Sequence, residues 1–272
     1  MRGISRESQG SAAQRLESLL STQDAAGAAQ LGDDLFGITG ALAGNPGLRR
    51  ALTDPSRGAE AKVALVSGLF AGKVSPAALD LFSGVAGSRW SAPGDLVDAT
   101  ENLAVQTVLA GAEKSGRLDA VEDELFRFGR TVAGDQSLRD AFSARTEGDG
   151  RKAALVERLL GGKAAPETVR LAVQAAAAPR GLRTERVLES YVEAAAERRR
   201  QLVAEVIVAQ PLTDEQRARL TAALLRIYDR PVRLNVDVDP SVVGGIRVSV
   251  GGEIIDGSVS GRLDQARRKL AG

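Results

Sequence analysis

Shifted by 90 positions, residues 33 to 82 align on residues 123 to 172 without a gap. Identical pairs include Asp33/Asp123, Leu35/Leu125, Phe36/Phe126, Gly44/Gly134, Leu48/Leu138, Arg49/Arg139, Lys62/Lys152, Val66/Val156, Gly72/Gly162, Lys73/Lys163 and Pro76/Pro166. A period of this length is too long for one solenoid unit and is the size of a small domain. The first part of the chain therefore reads as a duplicated domain.

Within each copy the apolar period is helical. Leu31, Leu35, Ile38 and Leu42 fall at i, i+4, i+7 and i+11, and Val121, Leu125, Phe128 and Val132 repeat the stripe. Gly44 and Gly134 stand where a left-handed C-cap would end that helix. A short helix with Leu48 and Leu52 follows, with Leu138 and Phe142 in the copy. Another bears Val63, Val66, Leu69 and Phe70, matched by Ala153, Val156, Leu159 and Leu160. Ser75-Pro76 reads as an N-cap and first-turn proline opening a helix with Leu79, Phe82 and Val85. A long helix closes each copy, over about 94–114 and 182–203. From about residue 203 the period changes to two. Val232, Leu234, Val236 and Val238 alternate with polar residues, as do Ile246, Val248 and Val250. Val203 to Ala209 is a further strand candidate, and Glu253 to Asp256 can pair with the Ile246 strand through Gly251-Gly252. Thr213 to Gln216 has the pattern of a capping box, opening a helix with Leu220, Leu224 and Ile227 on its apolar face. Ser258 to Leu270 reads as a basic amphipathic helix.

The expected fold class is mostly α. Two tandem helical bundles, a duplicated five- or six-helix domain over 1–93 and 94–202, precede a small α/β domain over 203–272.

Composition limits the chemistry. The 272 residues include no Cys and no His, which removes thiol nucleophiles, cysteine metal sites and the commonest general base. Thirty-six basic residues against 35 acidic ones give a net charge of +1, so nothing pulls the whole chain toward nucleic acid or an anionic surface. Met1 to Leu20 lacks a continuous apolar stretch of signal-peptide length, and no run elsewhere is long enough to span a membrane.

The motifs that suggest chemistry each have a plainer explanation. Gly68 to Lys73 is similar to a phosphate-binding loop, but three residues separate its glycines and Val74 stands where Ser or Thr would hold magnesium. A helix C-cap explains it better, in both copies. Asn235, Asp237 and Asp239 suggest a calcium loop, yet Pro240 replaces the turn glycine, so a solvated strand face is favoured. Arg198 to Arg200 and Arg267 to Lys269 could meet phosphates, but the strands lack stacking aromatics, and solvated helix faces are favoured. Glu185, Glu189 and Glu193 sit at helical spacing beside Arg186 and read as surface pairs. No catalytic, cofactor-binding or metal residue is assigned, and the expectation is a non-enzyme.

The run from Val236 to Val259, Val-Asp-Val-Asp-Pro-Ser-Val-Val-Gly-Gly-Ile-Arg-Val-Ser-Val-Gly-Gly-Glu-Ile-Ile-Asp-Gly-Ser-Val, closely resembles the carboxy-terminal signature of the ATP synthase delta subunit, or oligomycin-sensitivity-conferring protein, family. Ala209 to Thr213 and Leu263 to Leu270 fit the same pattern. Family members usually carry one helical bundle; two resemble actinobacterial forms. The resemblance implies a peripheral-stalk (stator) subunit of a proton-translocating F-type ATP synthase, peripheral at the cytoplasmic face of the cell membrane. It implies that the helical part binds the amino-terminal helix of a catalytic-headpiece alpha subunit and that the carboxy-terminal domain holds the b-subunit stalk. Headpiece and stalk are then joined so that rotation of the central shaft is coupled to ATP synthesis and hydrogen-ion transport. No cofactor, nucleic acid or direct membrane contact is implied.

On this reading the alpha-subunit helix docks on the second bundle, between Leu96, Leu103 and Val108 and the later Val169 and Val173. The stalk-binding signature comprises Asp239, Pro240, Gly244, Gly245, Asp256, Ser258 and Leu263. The alternative is a helical adaptor or nucleic-acid-binding protein, which salt-dependent binding to random RNA would favour.

Overall fold

The computed structural model describes residues 3–144, 149–200, 202–229, 231–239, 245–250 and 253–256. The chain divides into two compact units, Met1–Arg199 and Arg200–Gly272. The first unit is helical: α1 (Gly3–Ser21), α2 (Ala25–Gly44), α3 (Pro46–Thr53), α4 (Ala59–Phe70), α5 (Pro76–Gly87), α6 (Pro93–Lys114), α7 (Leu118–Gly134), α8 (Gln136–Ser143), α9 (Asp149–Leu160), α10 (Pro166–Ala177) and α11 (Thr184–Arg200). The second contains β1 (Leu202–Val208), α12 (Asp214–Tyr228), β2 (Val232–Val238), β3 (Ile246–Val250) and β4 (Glu253–Asp256). A mostly helical chain with a small sheet near its carboxy terminus agrees with the expected fold class.

The repeat is visible helix by helix. Moved along by 90 residues, the bounds of α3, α4 and α5 become those of α8, α9 and α10. Polar contacts repeat as well: the Asp34 carboxylate accepts the Ser75 backbone N–H at 2.9 Å, and Glu124, at the matching position, accepts that of Ala165 at 2.9 Å.

The same shift carries α1 onto α6 and α6 onto α11, so α6 serves twice, closing the first bundle and opening the second. Its side chains enter two cores. Leu96, Val97, Ala99, Leu103 and Ala104 join Leu35, Ile38, Leu42, Leu52 and Phe82. Val105, Val108, Leu109 and Ala112 join Val121, Leu125, Val132, Val156 and Leu171. Fourteen of the 22 residues of α6 are buried, which is the pattern of a helix surrounded by others and not of one lying on a surface. Small residues allow α2 to approach it closely. A Cβ on Gly32 would come within 2.8 Å of Val108 Cγ2, and one on Gly111 would meet Ala28 Cβ at 3.5 Å.

Gly44 and Gly134 do not take the left-handed cap conformation; each is the last residue of its helix. Asn45 and Asp135 stop α2 and α7 with extended backbone and at once cap the next helix. The Asn45 side chain accepts Leu48 N–H at 3.0 Å, and Asp135 accepts Ser137 N–H at 2.8 Å. A chain that starts its next helix one residue later leaves no room for a left-handed exit. Positive φ appears instead at Gly72 and Gly162, 73° and 69°, after α4 and α9, so the Gly-Leu-Phe-Ala-Gly-Lys motif is a helix ending. Ser75 caps α5 as expected, and Leu69 is exposed.

In the second unit the strand order is β2-β1-β3-β4, with β1 and β2 parallel and the other pairs antiparallel. Val206 lies opposite both Val236 and Val248, so the alternation puts Ala204, Val206, Val208, Val232, Leu234, Val248 and Val250 on one buried face. The crossover helix α12 covers that face with Leu220, Leu224 and Tyr228. Its Thr213–Gln216 capping box is formed, with Gln216 N–H donating to Thr213 Oγ1 at 3.2 Å. Ile227 is 63% exposed and is not part of the apolar face; Tyr228, one position on, points inward in its place. The expected helix over Ser258 to Leu270 lies outside the described residues.

Gly245, leading into β3, has φ of 87°. A branched side chain is strained there, so Gly245→Val is expected to cost about 1 to 3 kcal/mol. Faster amide exchange across β1 and β3 would register it; unchanged protection would remove the argument.

Candidate partner-binding site

The five residues expected to line an alpha-subunit groove separate by burial. Leu96, Leu103 and Val108 are at most 1% exposed and belong to the cores that α6 shares. They offer no surface to a docked helix. Val169 and Val173 on α10 are half-buried, and Val173 packs on the rim of the second core. The sequence stripe on α6 correctly marked apolar positions, but a helix used by two bundles spends its whole circumference on them.

Charged side chains tie the helical unit together, and the sequence pattern does not reveal most of these ties. Arg198 is 4% exposed; its Nε donates to Glu113 Oε2 at 2.9 Å and its Nη1 to Glu17 Oε1 at 2.9 Å. One guanidinium therefore joins α1, α6 and α11, and Arg198 is not the solvated residue that the Arg198 to Arg200 run suggested. Its neighbour Arg199 pairs with Asp119 and Glu122 on α7. Arg170 on α10 grips Asp33 on α2 with two hydrogen bonds of 2.5 and 3.0 Å, linking the bundles on another side.

A third tie lies between α6 and α11. Arg180, in the preceding loop, bonds Asp98 and Glu101, and Tyr191 Oη donates to Glu101 Oε1 at 3.1 Å. Burial, the Glu101 charge and the hydrogen bond to it all push the Tyr191 phenol upward. For Glu167, burial raises the carboxyl, but the hydrogen bond from Arg117 opposes it and the net shift is downward. The sequence did contain a signal for Glu101: it interrupts the stripe of Val97, Val105 and Val108. Lys62 likewise interrupts the line of Val66 and Phe70, and its repeat Lys152 does the same; both lysines are buried. Glu189 pairs with Arg186 as expected, and Arg267 to Lys269 lie outside the described residues.

In the second unit Asp239 is exposed and its backbone N–H donates to Val208 O at 2.9 Å, holding the end of β2 against β1. Gly245 and Ile246 border a cavity of about 830 Å³ with Val208, Pro211, Leu212 and Leu220. Asp256 ends β4, its backbone paired with Arg247. Pro240, Gly244, Ser258 and Leu263 lie outside the described residues. Asn235 and Asp237 are exposed on the strand face away from α12, and no metal-binding cluster occurs among the described residues. Among these residues no helix is long and apolar enough to cross a membrane.

Comparison with known proteins gives a consistent assignment. The family model described as ATP synthase delta (OSCP) subunit matches residues 105–270. ATP synthase subunit delta of Kineococcus radiotolerans is 55% identical over 99% of this chain and 98% of its own length. The Streptomyces griseus subunit of the same name is 47% identical over the whole of both chains, and that of Thermobifida fusca 43%. Among solved structures, one chain of the Toxoplasma gondii mitochondrial ATP synthase hexamer covers 62% of this chain with 18% identity and a TM-score of 0.28, below the level at which a shared fold follows.

Proposed function

Because the chain belongs to the ATP synthase delta (OSCP) subunit family, a structural and not a catalytic component of that complex, we propose that it is the peripheral-stalk subunit joining the alpha/beta headpiece to the b-subunit stalk. The observation that carries the reading is the match along the full chain to subunits of that name. In this role it sits at the cytoplasmic face of the cell membrane, held there through the complex. It resists the torque on the headpiece while the central shaft turns, and so couples proton flow to ATP synthesis.

On this reading the alpha-subunit amino-terminal helix docks on the second bundle beside α10, with Val169 and Val173 in contact and Val108 in the core on which Val173 packs, while Leu96 and Leu103 belong to the first core and take no part. The second unit receives the b-subunit stalk through the family signature, at the apolar cavity beside Gly245. Four apolar side chains on a docked helix would contribute roughly 1.5 to 3 kcal/mol each before ordering costs, enough for tight helix-in-groove binding. The ion ties among α1, α2, α6, α10 and α11 suit a body that must pass force without opening.

The test is titration of the full chain with an alpha-subunit amino-terminal peptide. Val173→Asp, at a half-buried rim position, is expected to weaken binding roughly ten-fold or more with the circular dichroism spectrum retained. Undiminished binding by that variant would move the site off α10. Failure of the peptide to bind the unaltered chain would contradict the stalk assignment.

A further inference from the structure

The amino terminus of α4 lacks a side-chain cap: Gly58 precedes it in extended conformation and cannot supply one. Its first N–H groups have no partner inside the helix, and they carry the positive end of the helix dipole. At this end lies a cavity of about 480 Å³, bordered by Ile4, Pro55, Arg57, Lys62, Arg89 and Trp90. Lys62 is 3% exposed, and its ammonium has no hydrogen bond or ion pair among the described residues.

The nearby carboxylate, Asp54, is already engaged, accepting from Ser56 N–H at 2.9 Å and Ser56 Oγ at 2.7 Å. Burial pushes the Lys62 ammonium downward; Asp54 opposes this, and Arg89 and Arg57 add to it. Three cations and an uncapped helix terminus thus border one cavity whose lining includes no carboxylate; Asp54 and the exposed Glu60 in the first turn of α4 are the nearby acidic groups. An anion is the missing partner. Thr53 also lines it, and the apolar walls Ile4, Pro55 and Trp90 leave space beyond a bare ion.

We propose that this cavity is a binding site for a small phosphate monoester. Its phosphoryl oxygens are held by Lys62, Arg57, Arg89 and the first amides of α4, and its organic part lies against Ile4, Pro55 and Trp90. The phosphate dianion matches three converging cations better than a single carboxylate does. The site is lined by residues of the first bundle, none of them on α10, so it can fail or stand without the stalk role.

Trp90 is the only tryptophan in the chain, which makes its fluorescence a reporter inside the cavity. The experiment titrates the full chain at fixed ionic strength with AMP, inorganic phosphate and acetate, following Trp90 emission and heat. AMP is expected to bind saturably in the sub-millimolar range, phosphate more weakly, and acetate without saturation. Lys62→Met and Arg89→Ala are each expected to weaken AMP roughly ten-fold or more, because each removes a charge-assisted contact. Lys152→Met, at the matching position of the second copy, is expected to leave the affinity unchanged. Both K62M and R89A are expected to keep the fold, checked by circular dichroism, because methionine fits the buried lysine's path and Arg89 is exposed. No saturable response to AMP, or an equal response in K62M and R89A, would overturn the proposal.

Discussion

Leu103→Asp is expected to unfold the helical unit, at a cost above about 4 kcal/mol. Leu103 is 1% exposed, and it sits on the helix that both cores share. A carboxylate there has no cation or N–H donor assigned to it, so the group must either be buried charged or drag α6 out of its packing. Because Val105, Val108 and Leu109 on the same helix hold the second core, the damage cannot stay in the first. Loss of near-ultraviolet circular dichroism with collapse of NMR dispersion across both repeats is the expected result. Melting confined to one repeat would show that α6 does not couple them. The variant is therefore a test of architecture and not of docking, for which Val173 is the better position.

Arg198→Met is expected to cost about 3 kcal/mol, at the low end for a broken buried pair because Glu17 and Glu113 keep 25% and 32% side-chain exposure. The loss comes from removing the guanidinium that the Glu17 and Glu113 carboxylates share between α1 and α6, which leaves their mutual repulsion less screened, while methionine replaces most of the arginine's apolar stem. Combining it with Glu17→Gln and Glu113→Gln is expected to return most of the stability, since the repulsion is then gone. Urea unfolding of the single and triple variants measures both. Equal stability of the single variant and the unaltered chain would mean that this tie adds nothing to the helical unit.

The sequence made the duplication, the helical stripes and the switch from period 3.6 to period 2 legible because each is a pattern of side-chain type along the chain. Leu31, Leu35, Ile38 and Leu42 are all buried as their spacing implied, and so are Val121, Leu125, Phe128 and Val132. What the pattern could not reveal was sharing. A repeat read as two separate copies assigns α6 to one of them, whereas the structure gives it to both, and Leu96, Leu103 and Val108 become core for that reason. The helix exits after Gly44 and Gly134 are not legible from glycine, which is neutral evidence there; the capping side chain of the next helix, Asn45 or Asp135, decides the conformation.

Charge was the less legible half. Arg198 looks like one member of a basic run, and only the convergence of α1, α6 and α11 reveals that it is enclosed. Glu101 and Lys62 were detectable in principle, since each places a charge on an otherwise apolar stripe, and such a position requires a partner or a ligand. Tyr191 and Arg180 supply the partner for Glu101. Neither Lys62 nor Lys152 has one among the described residues, but Lys62 also lines a cavity with Arg57 and Arg89, which is why it leads to a ligand.

The most direct test of the stator role uses membranes carrying the ATP synthase from which this chain has been removed. With the chain absent, ATP hydrolysis is expected to continue without ATP-driven proton uptake, and adding the full chain back is expected to restore uptake without a matching rise in hydrolysis. Full proton uptake in its absence, with the headpiece still bound and turning over, would contradict the account.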